Sequence, residues 1–133
     1  MENLDTKYCL HECIINKVEI VGSKILLYIY DGLYKIGIEN PIKVQKRCNI
    51  SISVDDLKKE SVWEHVDITV YSKNAKKNIS FSKFCKMVYK NKFRIYLDFY
   101  SNFAKGLLLK GFSNKREVEL LITEIEKIEI NEN

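Results

Sequence analysis

The chain has 133 residues, 46% of them hydrophobic and 30% charged, with a net charge of +4. That is enough for one ordinary domain, here 1–133, with a sizeable core, and one proline with five glycines excludes a low-complexity linker or tail. The longest strongly apolar run, Ile25 to Tyr30, is far short of the ~20 residues that cross a bilayer, so no membrane partner is expected.

The opening Met1-Glu2-Asn3-Leu4-Asp5 is acidic and polar. A secretory signal is basic and apolar, so a cytoplasmic location is expected. The basic residues are 19 Lys against 3 Arg, in a chain also rich in Ile and Asn. A/T-rich codons give that mix, so bulk charge alone argues weakly for a nucleic-acid partner.

Taken in order, Cys13 to Val21 alternates as a strand, with Val18 and Ile20 on one face. Gly22-Ser23 then supplies a two-residue turn of type II′, and Ile25 to Tyr30 forms the second strand. Asp31-Gly32 is a further hairpin signal, so Leu33 to Ile38 is expected to complete a three-strand meander. A polar loop follows around Pro41, with a short edge segment at Ile42 to Val44.

Cys48, Ile50, Ile52 and Val54 alternate with polar residues, which predicts a strand with one face in water. Asp55 to Glu64 is charged and fits one helical turn, Val66 to Tyr71 is another strand, and Lys73 to Asn78 a basic turn. The one convincing helix is Ser80 to Asn91. Phe81, Phe84, Cys85 and Val88 form its apolar stripe, and Lys83, Lys86 and Lys90 line the opposite side. Ser80 or Ser82 can cap its start, and Asn91 can end it in the left-handed conformation.

Phe93, Ile95, Leu97 and Phe99 alternate with Arg94, Tyr96 and Asp98, which predicts a strand with those four on one face. Ala104 to Phe112 is the next strand and Ser113 to Arg116 a turn. Between Glu117 and Ile130 local alternation and β-branched residues favour strand over helix. The expected fold is mainly β, of the α+β kind: an antiparallel sheet of about seven or eight strands with one amphipathic helix packed on it.

Four cysteines, Cys9, Cys13, Cys48 and Cys85, have no CxxC spacing and no export signal, and read as reduced thiols buried as small hydrophobes. Cys9-x-His11-x-Cys13 on a strand would share one face, a weak zinc pattern set against core thiols beside a hydrogen-bonded histidine. His65 lies near Trp63, Glu64 and Asp67 and reads as a polar loop histidine or a pocket rim. No nucleophile elbow, dinucleotide fingerprint or phosphate loop is present, so no cofactor is expected and catalysis is disfavoured.

From Lys73 to Leu97 the chain is basic, with Lys73, Lys76, Lys77, Lys83, Lys86, Lys90, Lys92 and Arg94, no acidic residue, and interleaved aromatics. That composition fits single-stranded nucleic acid through 73–94, or a solvated face that contacts a protein. Six glutamates between Glu117 and Glu132 form the acidic counterpart, so the domain should be polarised.

Leu10-His11-Glu12-Cys13-Ile14 leading into two strands, with Leu107 to Phe112 later, resembles small bacterial proteins that open with a Leu/Phe-His-Asp segment and a β-meander. Some of these are grouped with toxin-immunity proteins. Glu12 stands where Asp is usual. The resemblance implies a β-rich fold and a non-enzymatic role. Immunity proteins directed at basic nucleases are often acidic, so this net basic chain points away from a nuclease target.

The leading expectation is therefore a non-catalytic module that binds another protein, with Trp63, Lys83, Lys86, Lys90, Arg94 and Tyr96 as contact residues. The alternatives are single-stranded nucleic acid at 73–94, and an enzyme or small-molecule pocket near His11 or His65.

Overall fold

The computed structural model describes residues 8–35, 40–44 and 47–132. They form a nine-stranded antiparallel sheet, a separate three-stranded sheet and one α-helix. The β-rich expectation holds, with more strands than the sequence implied.

The small sheet comprises β1 (Tyr8–Cys9), β4 (Tyr34–Lys35) and β5 (Ile42–Lys43), in the order β1-β4-β5. The large sheet comprises β2 (Ile14–Val21), β3 (Lys24–Asp31), β6 (Cys48–Val54), β7 (Val66–Ser72), β8 (Ala75–Asn78), β9 (Phe93–Ser101), β10 (Gly106–Ser113), β11 (Arg116–Ile122) and β12 (Ile125–Glu132). Its order is β12-β6-β3-β2-β9-β10-β11-β7-β8.

That order forces the sheet to roll. β12 follows β11 after only Thr123 and Glu124, yet six inter-strand steps separate them in the sheet. Six steps span roughly 29 Å in a flat sheet, whereas the connection reaches about 10 Å. Backbone bonds stitch the resulting seam: Thr123 N–H to the His65 carbonyl, Asp55 N–H to Glu124, and Ile125 N–H to Lys105. Inward side chains from both ends, such as Ile50 and Ile52 with Ile68 and Leu120, therefore share one core.

Local chemistry explains most turns. Gly22 takes φ +62° and Val21 pairs with Lys24, as the II′ reading requires. Asn114 and Lys115 both take positive φ between the paired Ser113 and Arg116, a type I′ hairpin. Lys73 and Asn74 likewise turn β7 into β8, so part of the expected basic turn is itself an edge strand. The competing helix at 117–130 does not form. Those residues are β11 and β12, broken at Glu124 with φ +57°.

The helix α1 is Phe81–Asn91. Ser80 accepts the Lys83 N–H at 3.1 Å through Oγ. Phe84 and Val88 are buried, and Phe84 meets Phe93 edge-on at 5.8 Å. α1 packs against β2, β7 and β10. Asn91 stays helical instead of taking the expected left-handed ending; the positive φ falls on Lys92 (φ +65°, ψ 168°, outside the left-handed helical region), and Ser113 Oγ donates to its carbonyl at 2.5 Å.

Three expectations are corrected. Gly32 does not join two neighbours of one sheet, because β4 pairs with β1 and β5 instead, and residues 36–38 of the expected strand lie outside the described residues. β6 lies between β3 and β12, so Ser51 on its expected solvent face is buried. The four apolar residues of β9 do not share a face. Lys110 pairs with Leu97 and Gly111 with Ile95, leaving Tyr96 as a bulge. Phe93 and Ile95 are buried, while Leu97 and Phe99 are exposed.

The bulge sits where the backbones crowd. A Cβ on Gly111 would collide with the Arg94 carbonyl and the Phe93 ring, whereas one on Gly22 meets nothing within 4 Å. Gly22→Ala should cost about 1 kcal/mol, from positive φ alone. Gly111→Ala should cost about 1–3 kcal/mol or more, from overpacking and backbone shift. Urea unfolding of the two variants checks the order.

Candidate functional site

Two concave regions hold charged side chains that the sequence singled out. The first is a groove of about 380 Å³ between α1 and the β7–β8–β11 end of the sheet. Lys83, Lys86 and Lys90 come from α1, Lys77 from β8 and Arg116 from β11. The lysines at i, i+3 and i+7 share one helix face, which spans about 10 Å. Val70, Ile79 and Met87 supply apolar lining. No carboxylate and no aromatic side chain belongs to it among the described residues.

The three helix lysines are thus brought together as the sequence suggested, with Lys77 and Arg116 added from distant positions. The other expected contact residues lie elsewhere. Trp63 is 73% exposed on a 3-10 segment (Lys59–Glu64) outside the groove. Tyr96 stacks on Phe112 at 5.2 Å, and Arg94 lines the second cavity.

That second cavity, of about 560 Å³, lies between the small sheet and the start of β2. Its wall begins with a tight turn closed by the Cys13 N–H to Leu10 carbonyl bond at 2.9 Å. Glu12 sits in that turn at φ +73°, a conformation that costs on the order of 1–3 kcal/mol for a residue other than Gly. The Glu12 N–H donates to Ile95 at 2.8 Å, and the Ile95 N–H to Cys13 at 2.9 Å, which anchors the turn on β9. Gly32 packs so closely on the Glu12 carbonyl that a Cβ would collide with it.

The side chains of this turn form a chain of contacts. His11 donates Nδ1–H to the carbonyl of bulge residue Tyr96 at 2.7 Å. His11 Nε2 then lies 3.5 Å from Glu12 Oε1, and Glu12 Oε2 lies 3.1 Å from Arg94 Nη2. Across the cavity Lys43 Nζ pairs with Asp31 at 2.8 Å. The Lys43 bond, then the Gly32 N–H, hold the Asp31 carboxyl below its ordinary value. These groups are half-exposed, and such ion pairs contribute little stability. Sequence spacing put His11 and Glu12 side by side, but nothing local placed Arg94, Asp31 or Lys43 beside them.

The zinc pattern is not assembled. Tyr8–Cys9 is strand, His11 and Glu12 are turn, and Cys13 is fully buried while Cys9 is exposed. Among the described residues no group of three His, Cys, Asp or Glu side chains could hold a metal ion. All four cysteines are free thiols. Cys9 departs from the expected burial, and Cys85 is only partly buried.

His65 also departs from expectation. It stands in the turn before β7, as a loop residue would, but it is 5% exposed and lines neither cavity. Its carbonyl accepts from Thr123, and its Nδ1 lies 3.5 Å from Glu124 Oε1. The two histidines do not form one site.

No family model, no curated protein and no solved structure matches the chain.

Two measurements check this description. Burial pushes the thiol of Cys13 up to about 12 and that of Cys85 to about 11, and Cys48 is buried. One equivalent, Cys9, should therefore react fast with a disulfide reagent at pH 8, and all four after denaturation. Two or more fast thiols would contradict the burial pattern. The Asp31 carboxyl should titrate below its ordinary 3.8 by carbon-detected NMR. Its tie to Lys43 is then complete at neutral pH and is lost only as pH falls through that depressed value. Lys43→Met should return the titration upward.

Proposed function

We propose that this protein is a non-catalytic binding module whose partner is another protein, engaged through an acidic segment laid in the basic groove. The observation that carries the reading is convergence: five basic side chains from three elements line one groove, and among the described residues no carboxylate does. Unpaired like charges around apolar lining are held there without stabilising one another, which suits a complementary anionic surface. Met87 and the long lysine stems give that surface an adaptable wall. The resemblance to immunity-like proteins supports the same class of role.

Single-stranded nucleic acid is the second reading, favoured by the same lysines. Sequence-independent strand binders also use stacked aromatics, and none among the described residues lines this groove. Phe84 and Phe93 are spent in the core, and Tyr96 is stacked on Phe112.

The test is affinity capture from native lysate with the tagged full chain, with and without nuclease. Wild type should retain one stoichiometric protein after nuclease, and Lys83→Glu/Lys86→Glu/Lys90→Glu should lose it at least tenfold with unchanged circular dichroism. Retention by the triple variant overturns the groove assignment. Loss of all bound material on nuclease treatment overturns the protein reading in favour of nucleic acid.

A further inference from the structure

We infer that the cavity beside His11, Glu12 and Arg94 is a second, independent site, for a small organic oxyanion with an apolar body. It does not rest on the groove reading, because it shares no lining residue with the groove.

Its size comes first. At about 560 Å³ it lies within the range typical of small-molecule sites. Its hydrogen-bonding balance gives the ligand class. Both carboxylates on its wall already have a cationic partner: Glu12 has Arg94, and Asp31 has Lys43 with the Gly32 N–H beside it. A cationic ligand would have to displace them.

The donors are in surplus. A guanidinium carries five N–H donors in a planar fork, and the Glu12 contact engages one nitrogen of Arg94. An ammonium carries three, and the Asp31 bond uses one from Lys43. A carboxylate or phosphate oxygen pair fits the remaining fork geometry of Arg94, with Glu12 fixing the guanidinium from the other edge. Ile14, Tyr34 and Pro41 offer apolar surface for the rest of the molecule.

The backbone is arranged around this point at a cost. The strained Glu12 and the close-packed Gly32 lie in the cavity wall, the Tyr96 bulge holds His11 there through its carbonyl, and the exposed ion pairs beside them do little for stability. Cys9 also lines the cavity and gives a chemical handle on it.

The test uses benzoate as probe and benzamide as its neutral counterpart, followed by 1H–15N NMR of the full chain. Benzoate should give saturable shifts at the Glu12 and Gly32 amides and at Arg94 Nε–H, with a Kd in the millimolar range or tighter. Benzamide should give none at equal concentration. Arg94→Gln should weaken benzoate binding at least tenfold. Alkylating Cys9 in the wild-type protein should block the site without any substitution, and Lys83→Glu/Lys86→Glu/Lys90→Glu should leave it intact. Absent or unsaturable shifts, equal shifts with benzamide, or shifts centred on α1 and removed by the triple lysine variant would each overturn the inference.

Discussion

The close approach of Gly111 to the Arg94 carbonyl and the Phe93 ring is the constraint on which the facing of β9 and the anchoring of the His11 turn depend. Because position 111 has no Cβ, β9 and β10 can draw together there and accommodate one extra residue, Tyr96, between the pairs Lys110–Leu97 and Gly111–Ile95. Side chains alternate strictly along a strand, so one extra residue reverses the parity of everything beyond it. Leu97 and Phe99 turn outward, and Tyr100 packs against the core. The same bulge presents the Tyr96 carbonyl to His11, close to Arg94 at the cavity mouth.

The rolled sheet has a second consequence. The two-residue link from β11 to β12 draws distant strands to one seam, and the inner faces close on a single core. α1 lies against β2, β7 and β10, so its buried Phe84 and Val88 fix the direction of its lysines. Those lysines then face Lys77 and Arg116 across the groove. Stability resides in the buried aliphatic side chains, while the charged groups are largely exposed and their mutual pairs weak. The charges are thereby available for recognition.

The charge distribution separates the two sites chemically. The groove is uniformly basic, whereas the His11 cavity holds cations already balanced by Glu12 and Asp31. An unbalanced groove favours an extended anionic partner through long-range attraction. A balanced, donor-rich cavity selects by short-range geometry instead. The groove lies at the β7–β8–β11 end of the large sheet and the cavity between the small sheet and strands β2, β3 and β9, so the two proposed sites are separate.

The sequence by itself determined the β-rich class, most of the strands, the helix with a serine cap at Ser80 or Ser82, and the II′ turn at Gly22. Each of these follows from periodicity or turn chemistry within a few residues. It also placed Lys83, Lys86 and Lys90 on one helix face. Only the tertiary structure decided what those lysines meet, since Lys77 and Arg116 arrive through strand order and not through spacing. It likewise decided the facing of β9, because a bulge depends on the partner strand, and the burial of His65 at the seam. Arg94 joins Glu12 across 82 positions, Lys43 joins Asp31 across a different sheet, and the cysteines part company between core and surface. Local pattern fixes which face a side chain takes in an unbroken element, but bulges depend on the partner strand and contacts between elements on how the whole sheet rolls.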